Sequence, residues 1–277
     1  MGRNYLRAAK AAGIFIAAVI DSDIAKAQDA GREYDIAAKT TVEPDIEAVV
    51  VAVPTAAHVT VAVPLLKRGV HCLVEKPFAS SEAECRALMT AAVENNVVLQ
   101  VGHIERFNPA VVALLAERID PARIMAMATR RMGPASARVT DISVVTDLMV
   151  HDLDILLTLK PLAVTKVTAS GSRDHAEAVL TFADGTTASL VASRTSPTRH
   201  RDLHVTTADA IYHMDYIAKT LETSHGTQTL AGDALAAELA DFIGSIANKA
   251  APRVTGEMGL NVMNVAWRIE AALETAA

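Results

Sequence analysis

Short apolar runs alternate with helical patterns along the first part of the chain. The runs are rich in valine, isoleucine and leucine, which predicts strands buried on both faces at 14–20, 48–53, 70–74 and 97–101. Helices are predicted before and between them, at 1–10, 22–34, 59–68 and 82–95. Strands and helices that alternate at this spacing indicate a parallel sheet with right-handed crossovers.

The pattern changes after residue 118, where longer runs with partial alternation replace the short apolar ones. They predict strands at 124–130, 164–170, 177–183, 186–193 and 204–207. Asp184-Gly185 lies between two of these strands and predicts a type I′ hairpin turn. Helices are predicted at 147–159, 235–246 and 259–273. The expected fold class is α/β, with a parallel-sheet domain over 1–118 and an α+β domain with a largely antiparallel open sheet over 119–277.

Composition narrows the class of protein. The chain has 277 residues, of which 51% are hydrophobic, and a formal net charge of −6. This length is enough for two domains or one large one, and the apolar content argues against disorder. Its mild acidity offers no basic footprint for nucleic acid or an anionic membrane. The longest apolar stretch, 48–66, is interrupted by Pro54, His58 and Pro64, which argues against a transmembrane helix.

The cysteine and histidine positions give no indication of a metal site. Cys72 and Cys85 are the only cysteines, and their spacing is not that of a metal-binding motif. Reduced thiols in a cytoplasmic protein are expected. His103, His151 and the acids near them also lack a ligand spacing, so no metal is predicted.

Lys76 follows the predicted strand 70–74 within the sequence Glu75-Lys76-Pro77. Because Pro77 can continue neither a strand ladder nor a helix, Lys76 should lie just past the carboxyl end of the strand. Open α/β sheets hold their ligands at that edge. A lone lysine beside a proline is usually a surface charge, however. The sequence therefore supports a functional role of Lys76 and a solvated surface position equally. Glu75 is either its ion-pair partner or a solvated acid.

Four polar residues fall on one stripe of the predicted helix 147–159, namely Asp147, His151, Asp154 and Thr158. Since most of the helix is apolar, this stripe could border a cleft in which His151 handles a proton and Asp147 orients it or binds a hydroxyl. A solvated helix edge with an ordinary i,i+4 pair explains the same spacing. Spacing alone favours this simpler interpretation.

Two further polar positions follow predicted strands. Asp21 ends the strand 14–20, where a carboxylate would accept hydrogen bonds from adenosine ribose hydroxyls and repel a 2′-phosphate. Taken alone, Asp21 is better explained as a turn residue or a helix cap. The run 102–109, Gly-His-Ile-Glu-Arg-Phe-Asn-Pro, is either helix-capping chemistry or the rim of a ligand site, and spacing does not decide between them.

Together these motifs resemble the Gfo/Idh/MocA family of glucose–fructose oxidoreductases, inositol dehydrogenases and rhizopine-catabolism proteins, over nearly the whole chain. The resemblance is carried by Val53-Pro54-Thr55 with His58, Glu75-Lys76-Pro77, Gly102-His103 with Arg106-Phe107-Asn108-Pro109, and Asp147-x-x-x-His151-Asp152. Glu-Lys-Pro alone is a weak signal. Followed at this distance by Asp-x-x-x-His-Asp, it is a specific one.

The resemblance implies a Rossmann domain followed by an α/β domain whose open sheet often forms the oligomer interface, hence a homodimer or homotetramer. It implies hydride transfer between nicotinamide and a carbinol carbon of a sugar, sugar nucleotide or cyclitol. NAD is favoured over NADP because of Asp21. The strings at 102–110 and 147–152 are similar to the branch of the family that acts on UDP-N-acetylglucosamine.

The resemblance also implies roles for individual residues. Lys76 is expected to contact the substrate and assist proton transfer, and His151 to be the general acid/base with Asp147 as its partner. The residues expected at the cofactor are Gly2, Asp21, Val53, Pro54, Thr55, His58, Glu75 and Lys76. The residues expected at the substrate are His103, Arg106, Asn108, Asp147 and His151.

The amino terminus departs from the family pattern, which begins with a strand and a G-x-G-x-x-G turn that holds the pyrophosphate. Here Met1-Gly2 resembles only the end of that turn, and the region between Asp21 and Ala48 is short. A native chain longer than this sequence is the favoured explanation. The alternatives are a truncated, non-catalytic family member, and a protein that binds a sugar nucleotide or a partner through the second sheet.

Overall fold

The chain forms two compact units in a computed structural model that describes residues 1–135 and 142–276. The first unit comprises Met1–Gly102 and Asp233–Gly256, and the second comprises His103–Gly232 and Glu257–Ala277. The sequence placed one boundary after residue 118, whereas the structure divides at Gly102 and returns a later segment to the first unit. That segment is held there in part by Arg7, whose guanidinium lies 3.1 Å from the carboxylate of Asp233.

The helices and strands follow one another in the predicted order, with additions. The helices are α1 (Gly2–Ala11), α2 (Ile24–Tyr34), α3 (His58–Lys67), α4 (Glu82–Glu94), α5 (Pro109–Ala116), α6 (Val150–Leu159), α7 (Ala234–Asn248) and α8 (Gly256–Ala276). The strands are β1 (Ala18–Ile20), β2 (Ala37–Lys39), β3 (Ala48–Val51), β4 (His71–Glu75), β5 (Leu99–Gly102), β6 (Ile124–Met132), β7 (Val164–Gly171), β8 (His175–Phe182), β9 (Thr187–Ser193), β10 (His200–Thr207), β11 (Ile211–Asp215), β12 (Thr220–Thr223) and β13 (Gly226–Thr229). No helix in the described ranges is long and apolar enough to cross a membrane.

The strands of the first unit form two parallel sheets. β1 pairs with β2, and β4 lies between β3 and β5. The register aligns Glu75 with Gly102, so β4 and β5 end at the same edge of their sheet. β1 is shorter than the predicted strand 14–20, because its pairing with β2 begins only at Ala18. β2 was not predicted, since Ala-Ala-Lys contains no apolar run.

Short polar side chains fix where the first helices begin. The Asp23 carboxylate accepts a hydrogen bond from the Ala25 amide at 3.0 Å, so α2 begins after this cap and not at residue 22. Ser81, not Ser80, caps α4, and its hydroxyl accepts from the Glu84 amide at 3.3 Å. These caps satisfy amides that have no partner within the first helical turn.

One mixed sheet forms the centre of the second unit, in the order β13-β12-β11-β10-β6-β9-β8-β7. Neighbouring strands are antiparallel except β6 and β9, which are parallel. This agrees with the predicted, largely antiparallel sheet. β11, β12 and β13 were not predicted, because each is only four or five residues long and β12 and β13 are rich in polar residues and glycine.

The turn between β8 and β9 differs from the predicted type I′. Type I′ requires a positive φ at both central residues. Here Gly185 has a φ of 87°, and Asp184 is not among the non-glycine residues with positive φ. The Gly185 amide donates to the Phe182 carbonyl at 2.9 Å, so a type I turn followed by a left-handed glycine closes the hairpin. Asp184 instead accepts from the Thr186 amide at 3.1 Å.

The predicted helix 147–159 is two elements. Residues Val145–Met149 form a π turn, and the α-helix α6 begins at Val150. A π turn holds more residues than an α turn, so Asp147 and His151 do not share the simple i,i+4 relation. The predicted polar stripe is also uneven, because Asp154 is buried whereas His151 is partly exposed. The stripe is therefore not a uniform helix edge.

Candidate functional site

The Glu75-Lys76-Pro77 segment lies at the carboxyl end of β4, in the centre of the three-stranded parallel sheet, as the apolar run before it predicts. The Glu75 side chain is buried and turns back on the backbone. Its Oε2 accepts from the Lys76 amide at 3.1 Å, and its Oε1 accepts from the Tyr5 hydroxyl at 2.8 Å. Burial raises the pKa of Glu75, while the Tyr5 hydrogen bond and the Lys76 charge oppose this shift.

Gly102 makes room for the Glu75 side chain. A Cβ at this position would lie 3.1 Å from the Glu75 Cα and 3.3 Å from its carboxyl carbon. Only a glycine at the end of β5 leaves the Glu75 carboxyl in its observed place without a shift of backbone. The Gly102 of the Gly-His string thus has a steric role at the strand edge.

His58 joins the segments that follow β3 and β4. The ring is buried, and its Nε2 and Nδ1 lie 3.1 and 3.2 Å from the carbonyl oxygens of Val53 and Phe78. Burial lowers the pKa of His58, although both carbonyls oppose the shift. Since Phe78 directly follows Pro77, these contacts help to fix the loop that carries Lys76.

The other residues predicted at the cofactor lie at the starts and ends of elements in the first unit. Gly2 is the first residue of α1, and Asp21 follows β1, where it accepts from the Asp23 amide at 2.9 Å. Pro54 and Thr55 begin the short 3₁₀ turn Thr55–Ala57 after β3. The carboxyl ends of parallel strands are where dinucleotides bind in such sheets. The acceptor chemistry of Asp21 suits ribose hydroxyls, so these residues fit a dinucleotide.

A buried charge cluster in the second unit surrounds Arg131 of β6. Its guanidinium donates to both carboxylate oxygens of Asp152, at 2.8 and 2.9 Å, and to Glu105 at 2.8 Å. It also lies over the Tyr216 ring, 4.8 Å from the centroid. Burial alone would lower the pKa of Arg131, but the charges of Asp152 and Glu105 raise it well above its usual value. The cluster fixes the start of α6, and with it His151, the residue before Asp152.

Asp147 lies within the π turn before α6 and faces Arg194. Its carboxylate is 3.7 Å from the guanidinium of Arg194. That guanidinium also contacts Asp174 at 2.6 Å and donates to the Ile142 carbonyl at 2.6 Å. Arg194 therefore ties the turn carrying Asp147 to the β9 end of the sheet. Asp147 and His151 are four positions apart in the same unit, on either side of the end of the π turn.

Two of the residues predicted at the substrate form hydrogen bonds within the second unit. Arg106 is buried and binds both carboxylate oxygens of Asp154 at 2.8 Å. Asn108 donates to Glu105 and to the Tyr216 carbonyl, each at 3.0 Å. Its own side-chain oxygen caps α5, where Pro109 is the first helical residue. His103 is buried directly after β5.

Sequence reasoning did not assign a role to several buried or partly buried polar and charged residues, namely Tyr5, Glu105, Arg131, Asp152, Asp154, Arg194, Tyr216 and Glu238. Glu105 and Asp152 lie inside the quoted motifs, so motif position was an available signal for them. Arg130 and Arg131 are consecutive residues of β6 and point to opposite faces of the strand. The alternating pattern does not show which of the two is buried. Tyr5 and Glu238 are far apart in sequence and have no local signal. The described residues contain no group of three or more metal-ligand side chains.

Two family models match the chain. The model of the oxidoreductase family with an NAD-binding Rossmann fold matches residues 1–103, and the Gfo/Idh/MocA C-terminal domain model matches residues 120–212. A curated UDP-N-acetylglucosamine 3-dehydrogenase from Acidithiobacillus ferrooxidans is 32% identical over 94% of this chain and 90% of that protein. A scyllo-inositol 2-dehydrogenase (NAD(+)) from Bacillus subtilis is 30% identical over 57% of this chain and 52% of that protein.

Solved structures show the same fold. The Acidithiobacillus UDP-N-acetylglucosamine 3-dehydrogenase superposes with a TM-score of 0.94 at 32% identity, covering 99% of this chain and 95% of that one. A scyllo-inositol dehydrogenase from Lactobacillus casei, solved with NAD(H) and scyllo-inositol, superposes with a TM-score of 0.83 at 18% identity, covering 98% and 94% of the two chains.

The fold and these matches define an oxidoreductase with an NAD-binding Rossmann domain. The chain belongs to the Gfo/Idh/MocA family. The predicted family, the fold class and the enzyme class, a nicotinamide-dependent dehydrogenase acting on carbinol groups, are thereby confirmed.

Proposed function

We propose that the protein oxidises the 3-hydroxyl of UDP-N-acetylglucosamine, or reduces the corresponding ketone, with NAD as its cofactor. The observation that carries this proposal is the 32% identity to a UDP-N-acetylglucosamine 3-dehydrogenase along 94% of the chain. The inositol dehydrogenase match covers only 57% of the chain, so a cyclitol is the weaker substrate class.

Lys76 and His151 are the proposed proton-handling residues. When bound, the nicotinamide accepts or donates the hydride. Oxidation of the carbinol also releases the hydroxyl proton, which a positioned base must take. We assign this proton to His151, with Asp147 setting the orientation of the turn before it. Lys76 contacts the reacting hydroxyl and favours the negative charge that develops on its oxygen.

The proposed cofactor-binding residues are those at the strand ends of the first unit. Gly2, Val53, Pro54, Thr55, His58, Glu75 and Lys76 belong to this set. Asp21 is proposed to accept the ribose hydroxyls and to exclude a 2′-phosphate, which makes NAD preferred over NADP. Asp21→Ala should therefore raise the KM for NAD while lowering the ratio of kcat/KM for NAD to that for NADP. An unchanged ratio would remove Asp21 from this role.

The proposed substrate-binding residues lie in the second unit, namely His103, Arg106, Asn108, Asp147 and His151. Arg106 already donates hydrogen bonds to Asp154, and Asn108 already donates one to Glu105. These contacts favour a structural role at the substrate site over direct hydrogen bonding to a ligand. We therefore expect Arg106 and Asn108 to act on substrate affinity mainly by holding His103 and its neighbours in place.

The first experiment is to incubate the purified protein with UDP-N-acetylglucosamine and NAD⁺. NADH absorbance reports hydride transfer, and mass spectrometry should show a sugar nucleotide that has lost two hydrogens. Scyllo-inositol and myo-inositol serve as comparison substrates. Turnover of inositols without turnover of the sugar nucleotide would contradict the substrate assignment. Binding of the sugar nucleotide without turnover of any substrate would favour a non-catalytic family member.

Variants then test the assigned residues. Lys76→Met and His151→Asn should each lower kcat by about a hundredfold or more, because each removes a group that handles the reacting proton. The matched controls are Lys67→Met at the end of α3 and His225→Asn in the exposed loop between β12 and β13. Near-normal kcat in either Lys76→Met or His151→Asn would show that the role assignment is wrong.

We further propose a homodimer or homotetramer that associates through the sheet of the second unit, in a cytoplasmic protein. Val179 on one side of that sheet is exposed, whereas its neighbour Leu180 is buried, so one face of the sheet is open to a partner copy. Both cysteines are unpaired and buried, which suits a reducing compartment. Val179→Lys should dissociate the oligomer in sedimentation experiments. A wild-type monomer would refute the interface.

A further inference from the structure

A tyrosine hydroxyl bridges two buried carboxyl groups behind the Lys76 segment. The Tyr5 hydroxyl on α1 lies 2.8 Å from Glu75 Oε1 at the end of β4 and 2.8 Å from Glu238 Oε2 on α7. The three side chains are buried, and Glu238 is completely so. All of them belong to the first unit, and three separate elements bring them together.

The two contacts of Tyr5 require one proton more than the hydroxyl carries. A phenol has a single proton and can donate it to only one of the two carboxyl oxygens. If both carboxyls were ionised, the other contact would place two unprotonated oxygens 2.8 Å apart in a buried site. Such an arrangement is strongly unfavourable. One carboxyl must therefore be neutral and donate its proton to the Tyr5 oxygen.

The surroundings decide which carboxyl is neutral. Glu75 has the Lys76 amide at 3.1 Å and the Lys76 charge to support an ionised form. Glu238 has no such support: within the described residues its Oε1 is buried without a hydrogen-bond partner. Burial and the charges of Glu75 and Asp241 raise the pKa of Glu238 well above the usual value, and only the Tyr5 hydrogen bond opposes them among the causes that act on it in the described residues.

Neighbouring contacts hold this arrangement in register. The Gln100 side-chain amide on β5 donates to the Glu238 backbone carbonyl at 3.3 Å, which fixes α7 against the sheet. Gly102 leaves no side chain between β5 and the Glu75 carboxyl. The cluster is thus packed from both sides and is not an isolated contact.

We propose that Tyr5 and a neutral Glu238 are positioning residues that hold the Glu75 carboxylate in place beside Lys76. Glu238 donates its proton to the Tyr5 oxygen, and Tyr5 donates its own to Glu75. Glu75, held on both oxygens, then keeps a fixed negative charge next to the Lys76 backbone and ammonium. The effect on turnover rests on the proposed role of Lys76. The proton assignment does not.

The proton assignment is tested first, on the whole protein and without substrate. Glutamate labelled with ¹³C at the carboxyl carbon gives a resonance for Glu238, identified by its loss in Glu238→Gln. At about pH 7 this resonance should have the chemical shift of a protonated carboxyl and move only at alkaline pH. A carboxylate shift at about pH 7, with titration in the ordinary glutamate range, would overturn the proposal.

Stability gives a second, independent readout. The pKa of Glu238 is higher in the folded chain than that of an ordinary glutamate, so its contribution is complete below about pH 4.5 and is lost as the pH rises. Glu238→Gln removes this loss, because the amide stays neutral and can still donate to Tyr5. The stability of the variant relative to the wild type should therefore increase between about pH 5 and pH 9. A constant difference would contradict a neutral Glu238.

The positioning role is tested by kinetics. Tyr5→Phe removes only the hydroxyl, and Tyr34→Phe at the end of α2 is its matched control. We expect Tyr5→Phe to lower kcat about tenfold or more with little change in KM, since it removes a hydrogen bond to a charged group. The pH profile of kcat should shift as well, which a purely structural defect would not cause. Unchanged kcat and pH profile would refute the role. Failure of the wild type to turn over any substrate would refute the proposed function and leave the proton assignment standing.

Discussion

Replacing Arg131 by methionine should destabilise the protein far more than the same change at Arg130, the preceding residue of β6. The two side chains point to opposite faces of the strand. Arg131 is buried between Asp152 and Glu105, with 2% of its side chain exposed, whereas half of the Arg130 side chain is exposed. Both arginines bind an aspartate with two hydrogen bonds, but Arg131 also binds Glu105 and is buried, so the comparison measures burial together with this second ion pair.

The magnitude follows from the groups left behind. Removing one partner of a buried ion pair costs about 3–5 kcal/mol. Arg201 lies opposite Arg131 on β10 and leaves one positive charge near the two acids, so we expect the lower end of this range, about 3 kcal/mol. An exposed pair contributes about 1 kcal/mol or less, and Arg130 is half exposed although its partner Asp202 is buried, so we expect a loss of about 1 kcal/mol for Arg130→Met. The expected difference between the variants is therefore about 2 kcal/mol, or roughly 4–8 °C in Tm.

The assay is urea unfolding of both variants and the wild type, repeated at about pH 8 and pH 4.5. Without Arg131, the buried carboxyl groups should take up protons on folding. The stability of Arg131→Met is then greatest at acidic pH and is lost as the pH rises, so its deficit should be smaller at about pH 4.5. Equal losses in the two variants would refute the burial argument. A deficit of Arg131→Met that does not depend on pH would show that packing, not charge, is responsible.

Other predictions concern packing and thiol chemistry in the first unit. Gly102→Ala would place a Cβ 3.1 Å from the Glu75 Cα. We expect the free energy of unfolding in urea to fall by about 1–3 kcal/mol, and kcat to fall as well. Normal values of both would show that β5 moves freely. Burial raises the pKa of Cys72 and of Cys85 to about 12, so a thiol reagent at about pH 8 should label neither in the native protein and both in denaturant. Rapid native labelling would contradict their burial.

The chain order of strands and helices could be predicted from the sequence, because buried parallel strands are continuous apolar runs and their helices have clear polar caps. The β4 run ending at Lys76 is the best example. β2 could not be predicted, since three residues without an apolar pattern gain their conformation from pairing with β1. The π turn at Val145–Met149 could not be predicted either, because the helical pattern of apolar residues does not show that one residue is inserted.

The site could be predicted only in part, for a related reason. Motif position predicted roles for Glu75, Lys76, Asp147 and His151, and these roles stay predictions, whereas the family match supports the enzyme class. It could not identify Tyr5, whose partner Glu238 lies 233 positions further along the chain. Contacts of this kind are set by packing between helices and sheets, and a single sequence contains no periodicity that reports them.

The buried networks of the two units resolve the same electrostatic problem in different ways. In the second unit, Arg131 lies between Asp152 and Glu105, and Arg201 adds another positive charge on the next strand, so positive charge lies beside both acids. In the first unit, Glu75 and Glu238 share a tyrosine, and Lys76 is placed beside only one of them. A bound proton therefore neutralises Glu238, whereas the positive charge of an arginine offsets the charge of Asp152. Raising the pH should disturb the first network, because Glu238 loses its proton. In the second network burial raises the pKa of Asp152, but the charge of Arg131 opposes this shift, so that network does not depend on a bound proton in the same way. Alkaline conditions should therefore weaken the surroundings of Lys76 before those of His151, which hydrogen exchange of the β4 and α6 amides at about pH 9 would measure directly. Earlier loss of protection in α6 would contradict this assignment of charges.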